Sequence, residues 1–305
     1  MSGLATFMIH HGVRENNSRE MDHDHDGRKT LTGAPTSIIT PARASLSQLP
    51  RDFIKYKGLL SLLIWRDIQV RYRQTAIGLL WVILQPALFA LIFAFVFGRL
   101  VNISSDGLPY IVFAYSGTVI WGLFSQGIDR ASQSILSEAH LIGKVYFPRW
   151  ILPLASIGGT FVDFLVSLVL LLIFTCFYDL PPGWTFLFFI PAILLVLGLT
   201  ASLGMGTAAL CAKYRDFRFL VTFLLQVAQF VSPVFYTFSL IPPRYLWLAY
   251  LNPMAGVLEL FRLSLYGHGH FYLPGFCLSL ASALLISGLC LKIAYMFEDN
   301  LIDTI

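Results

Sequence analysis

The sequence predicts an all-α integral membrane protein. Six transmembrane helices follow an N-terminal amphipathic helix lying in the membrane interface, and a re-entrant pair of short helices sits on the outer face. Three observations lead there. Charged residues make up 12% of the 305-residue chain and apolar ones 56%, where a soluble protein carries ~25% charged residues. Mean hydropathy is +0.71. The apolar residues gather in stretches of roughly 20, the length a helix needs to cross ~30 Å of hydrocarbon.

Residues 1–50 are polar and rich in Gly, Ser, Thr and Pro, the composition of a disordered cytoplasmic tail. The run Asp22-His23-Asp24-His25-Asp26 carries metal-ligand chemistry. With no folded surroundings to orient the ligands it reads as a solvated charge run, and no metal is assigned. No apolar segment with a cleavage site precedes residue 40, so the first span also directs insertion. Residues 51–76 form the interfacial helix. Leu60, Ile64, Ile68 and Tyr72 make one stripe, while Arg66, Gln69 and Arg73 point the other way.

The domain of residues 77–300 holds the spans, at 78–99, 109–128, 151–177, 186–211, 219–240 and 274–296. Pro86 in the first is tolerated in a membrane helix. An even number of spans puts both termini on one side. That side gathers most Lys and Arg, leaving Arg99, Arg244 and Arg262 on the other. The positive-inside bias places both termini in the cytoplasm. Because the basic residues flank apolar spans, no nucleic-acid partner is expected. The stretch 241–273 is apolar but broken at Asn252-Pro253 and carries Glu259 and Arg262. Each half is too short to cross, so it is expected to dip into the outer leaflet and line or gate a path.

Catalytic motifs are missing. There is no phosphate-binding G-x-x-x-x-G-K-[ST] loop, no H-E-x-x-H, no G-x-S-x-G and no paired C-x-x-C. The chain is therefore read as a non-enzyme with no cofactor of its own. His268-Gly-His270 reads as a polar outer turn. Cys176, Cys211, Cys277 and Cys290 fall in or beside apolar stretches and behave as small hydrophobes, so no disulfide framework is expected. Asp163 is the one acid deep in a span, expected as a pore-lining or structural polar contact. On the cytoplasmic side, the stretch from Asp129 to Trp150 reads as short surface helices offering charge to a partner. The loop Ala212–Arg218 is compact and strongly basic.

The segment from Arg66 to Pro86 resembles the opening signature of ABC-2 type permeases that export polysaccharide. So do Lys144-Val-Tyr-Phe-Pro-Arg149, Lys213-Tyr-Arg-Asp-Phe-Arg218, Ser232-Pro-Val-Phe-Tyr236 and Asn252-Pro-Met-Ala-Gly256, in the family's order and over roughly residues 55–300. The resemblance is strongest to permeases of O-antigen and capsule exporters. It implies the ABC-2 exporter fold in a bacterial inner membrane. A homodimer would pair with a separate ATPase subunit that carries ATP and Mg. It also implies ATPase coupling through Glu138, Lys144, Tyr146, Arg149, Lys213, Arg215 and Asp216. A polyprenyl-pyrophosphate-linked glycan would be attracted by Arg66, Arg71 and Arg73. The channel would run past Tyr115, Trp121, Phe124, Asp163, Phe230 and Tyr236, with an outer gate at Asn252, Pro253, Glu259 and Arg262. A drug or small-molecule exporter of the same superfamily is the alternative. A secondary carrier is less favoured, because the chain lacks the inverted repeats and multiple intramembrane charges such carriers often show.

Overall fold

The computed structural model describes residues 49–73, 80–101, 103, 105–142, 147–180, 183–267 and 271–298. The predicted tail up to residue 48, with its Asp22–Asp26 cluster, lies outside them, as do Lys144, Tyr146 and the His268–His270 turn. The described chain is helical. In order it forms α1 (Leu49–Arg73), α2 (Leu80–Phe93, extended as a π-helical turn Ala94–Leu100), α3 (Tyr110–Ser137), α4 (Ala139–Ile142), α5 (Ile151–Phe177), α6 (Phe189–Lys213), α7 (Phe217–Val231), α8 (Leu246–Tyr250), α9 (Pro253–Tyr266) and α10 (Leu273–Glu298).

Among the described residues, five helical segments are long and apolar enough to cross a membrane: Leu80–Leu100, Tyr110–Ser137, Ile151–Phe177, Trp184–Lys213 and Leu273–Phe297. The predicted fifth stretch, 219–240, is different. Its helix α7 has 15 residues and stops at Val231, a length of ~22 Å at 1.5 Å per residue and short of the ~30 Å core. Pro233 explains the stop, since a proline pushes the preceding residue out of the helical region and supplies no N–H. Ser232 is extended accordingly. The chain then runs through two 3-10 turns, Phe238–Leu240 and Pro243–Tyr245.

Helix α3 is the centre. It packs against α2, α5, α6, α7 and α9, and its apolar side chains are buried on all sides. Val112, Ile120 and Trp121 share one core with Phe164 of α5, Val196 of α6 and Phe261 of α9. Lipid tails are as apolar as these side chains, so such packing gains mainly dispersion and close fit. Small residues permit the fit. A Cβ on Gly127 would stand 2.5 Å from Thr200 Cγ2, so α3 and α6 touch nearly backbone to side chain.

Helix α1 packs along α5. Leu63 is buried with Phe147, Ile151, Leu152 and Ala155, and Leu59, Leu60 and Ile64 flank them. Trp65 and Val70 remain exposed. Leu60, Ile64, Ile68 and Tyr72 are half-buried, while Gln69 and Arg73 are exposed, as the stripe predicts. Arg66 departs from that pattern. It is half-buried because an acid on α3 receives it.

The break at Asn252-Pro253 separates α8 from α9. Asn252 caps α9, its side chain accepting from the Met254 N–H at 3.0 Å, which satisfies one of the helix's unpaired donors. Pro253 takes the first helical position, where its missing N–H costs nothing. Gly267 ends the helix in the left-handed region at φ 65°.

Candidate functional site

Two clefts collect the polar groups of this apolar chain. One, called the inner cleft for the side it is expected to face, is about 490 Å³ and lies between the end of α1, the first turns of α2, and the facing sides of α3 and α5. Asp163 is at its centre. Its Oδ2 accepts from Arg71 Nη1 at 2.5 Å and from Arg130 Nη1 at 2.7 Å. Its Oδ1 accepts from the Tyr72 hydroxyl. Arg71 also donates through Nη2 to Asp67 Oδ2 at 2.7 Å. Two guanidinium groups therefore face two carboxylates across three helices. Burial, reinforced by the bond to Asp163, raises the Tyr72 phenol to about 12, so it remains a donor. A lone buried carboxylate is costly, and this one is held by three donors.

A second ion pair lies below the first on α1. Arg66 grips Glu138 with both nitrogens, Nη1–Oε2 at 3.1 Å and Nη2–Oε1 at 2.5 Å. Glu138 is the residue at which α3 ends. The paired-fork geometry fixes orientation as well as distance.

These contacts place the three arginines read as substrate-attracting. Arg66 and Arg71 are held in ion pairs, and Arg73 is exposed at the end of α1. Of the residues expected to couple to an ATPase, Glu138 is held by Arg66. Arg149 is half-buried, and Arg215 and Asp216 are exposed. Lys213 lies 4.8 Å from the centre of the Phe297 ring. The residues expected to line a channel separate into two groups. Tyr115, Trp121 and Phe124 belong to the packed interior of a single chain, with the Tyr115 hydroxyl donating to the Ser167 carbonyl at 3.1 Å. Asp163 lines the inner cleft, Phe230 is exposed, and Tyr236 donates to the Val231 carbonyl at 2.6 Å. Arg130 and Asp67, which complete the Asp163 cluster, were not singled out in the sequence. Arg130 at the end of a span, opposite a buried acid, is the signal that marks it.

The second cleft, called the outer cleft for the side it is expected to face, is about 350 Å³ and lies between the Ser105–Leu108 turn, the segment 237–246 and the helix α9. It contains two of the predicted gate residues. Glu259 accepts from the Tyr250 hydroxyl at 3.0 Å and from the Tyr272 N–H at 3.4 Å, and burial pushes its carboxyl up to about 7. Arg262 is buried. It donates to the carbonyls of Pro233 at 2.7 Å, Val234 at 2.6 Å and Phe113 at 3.3 Å. Its guanidinium lies 3.6 Å from the centre of the Phe113 ring. Burial lowers its pKa to about 10, so it stays charged at neutral pH. Arg262 thus closes the backbone left unpaired where α7 ends. Asn252 joins the same junction, donating to Ser232 Oγ at 2.7 Å.

Comparisons with known proteins agree with this architecture. The chain is 31% identical to the O-antigen export system permease protein RfbA of Myxococcus xanthus, over 72% of this chain and 85% of that protein. It is 26% identical to the O-antigen export system permease protein RfbA of Klebsiella pneumoniae, over 80% of this chain and 95% of that one. It is 24% identical to the polysialic acid transport protein KpsM of Escherichia coli, over 68% and 80%. Residues 58–266, from within α1 to the end of α9, match the membrane family described as ABC-2 type transporter, and the chain belongs to that family.

Proposed function

We propose that the chain is the permease subunit of an ATP-driven exporter carrying lipid-linked polysaccharide, of the O-antigen or capsule type, outward across the bacterial inner membrane. The observation that carries this reading is the similarity to O-antigen and capsule export permeases over most of both chains. The fold supports it, with five membrane-capable helices among the described residues, the buried α3 one of them, and no phosphate-binding G-x-x-x-x-G-K-[ST] loop in the sequence.

In this reading two copies pair with two ATPase subunits, which hold ATP and Mg. With α7 and the turns that follow it together making a sixth crossing, both termini and the loops at 129–150 and 212–218 face the cytoplasm. ATP-driven closure of the ATPase pushes on the segment around Glu138, Arg149 and Arg215. The Arg66–Glu138 pair passes that displacement to α1, and the Asp163 cluster passes it to α5. The helices then shift as packed bodies, as interfaces with discrete arrangements do. A polyprenyl-pyrophosphate headgroup approaches the inner leaflet beside α1, where Arg73 offers an exposed cation. Phe230 on α7 faces the second copy along the glycan path, and the α8–α9 pair acts as the outer gate.

Affinity purification of the full chain from its native membranes tests the subunit arrangement. A P-loop ATPase that co-purifies in a one-to-one ratio is the expected result. A permease that transports with no ATPase bound, driven by an ion gradient, contradicts the reading.

A further inference from the structure

The outer cleft has a chemistry that structural packing does not require. Its aromatic wall is ordered: Phe238 and Tyr250 stack with centroids 4.4 Å apart at 2°, and Tyr272 stands 5.7 Å from Tyr250. Carboxylates stand at two of its edges. Glu259 lies on α9, and Asp106 on the opposite turn accepts from Ser239 Oγ at 2.9 Å. Hydrogen-bonding capacity is also left over. Thr237 lines the cleft and is 3% exposed, and its hydroxyl has no partner among the described residues. Arg262 Nε is likewise unpartnered.

These features select a class of ligand. An acyl chain would offer no hydrogen bond to the remaining acceptor sites of the two carboxylates or to the buried Thr237 hydroxyl. A phosphate or other anion would meet Asp106 as a like charge, and Glu259 too wherever it is ionised. A metal ion would sit against the Arg262 guanidinium, and no group of three or more metal-binding side chains occurs among the described residues. A neutral, polyhydroxylated ring fits. Its C–H face lies on an aromatic ring, its hydroxyls donate to carboxylates, and its oxygens accept from buried donors. The volume is at the lower end of the ~300–1,000 Å³ range of small-molecule clefts.

We propose that the outer cleft is a sugar subsite, holding one unit of the emerging glycan with its ring face toward Tyr272 and its hydroxyls on Glu259 and Asp106. This rests on the polysaccharide reading above and adds a glycan contact on the far side of the gate. The site holds the chain after it passes α9 and opposes its return.

The test uses the intact permease–ATPase complex in lipid nanodiscs. The probe is the set of oligosaccharides released by mild acid from the host cell's own surface polysaccharide. Saturation-transfer NMR reports binding to the wild type, Tyr272→Ala, Glu259→Gln and, as a control, Trp184→Ala. Tyr272 is half exposed, so its removal leaves the core intact. The subsite predicts saturation transfer to the sugar in the wild type and in the control. It predicts affinity weakened roughly threefold to tenfold in each of the other two. No transfer in the wild type, or equal affinity in all four proteins, overturns the subsite. Failure of the parent reading looks different: surface polysaccharide would persist in a strain lacking the gene.

Discussion

Arg66 and Glu138 are 72 residues apart and bound fork to carboxylate, tying α1 to the C-terminal end of the central helix α3. A second tie, from Arg71 and Tyr72 to Asp163, joins the same helix to α5. Helix α1 is therefore held to the bundle by directed polar contacts as well as by its apolar seam.

The first tie predicts a charge-swap result. The Arg66 side chain is 41% exposed and that of Glu138 19%, so the pair contributes modestly to stability, ~0.2–1 kcal/mol. Arg66→Glu or Glu138→Arg alone is expected to reduce export more than it lowers melting temperature. The double swap should restore export. A double swap no better than either single change would show that the pair carries no displacement.

The Asp163 cluster behaves differently because it is buried. Asp163→Leu leaves Arg71 and Arg130 without their shared acceptor, a change that costs about 3–5 kcal/mol when one partner of a buried pair is removed. Thermal unfolding in detergent should show a large loss. Adding Arg130→Met should recover part of it by removing one unpaired charge. An Asp163→Leu protein as stable as wild type would contradict the assigned pairing.

Arg73 separates attraction of the substrate from scaffolding. It is exposed at the end of α1. Arg73→Gln should slow export of lipid-linked glycan while leaving melting temperature unchanged. Combining it with Arg66→Gln and Arg71→Gln should weaken export further and also destabilise the protein. Unchanged export by the triple variant at normal expression would remove the role.

Glu259 gives a pH dependence. Burial raises its carboxyl from 4.5 to about 7, opposed by the bonds from Tyr250 and Tyr272 and by the Arg262 charge. The folded protein thus binds the proton more tightly than the unfolded chain, so this group's contribution to stability is full below pH 4.5 and is lost as pH rises through about 7. Glu259→Gln should flatten that part of the melting-temperature profile. A profile identical to wild type would contradict the burial.

Much of the helical order was legible in the sequence. Apolar runs of roughly 20 residues marked the long helices, and Asn252-Pro253 marked the break before α9. The early end of α7 was not read, although Pro233 lies within the predicted span. The partners of Asp163 were not legible either. Arg71 lies 92 residues away and Arg130 33, and helical periodicity shows which residues share a face but not which faces meet. Tyr115, Trp121 and Phe124 show the same limit. An aromatic side chain reads alike whether it faces a channel, lipid or a neighbouring helix, and here all three face neighbouring helices.

The most direct measurement compares lipid-linked glycan inside the cell with glycan on its surface, with and without the gene. Accumulation inside and loss outside, both reversed by the intact gene, is the predicted result. No change in either pool, with no second permease expressed, would contradict polysaccharide export and leave the ABC-2 fold serving a different substrate.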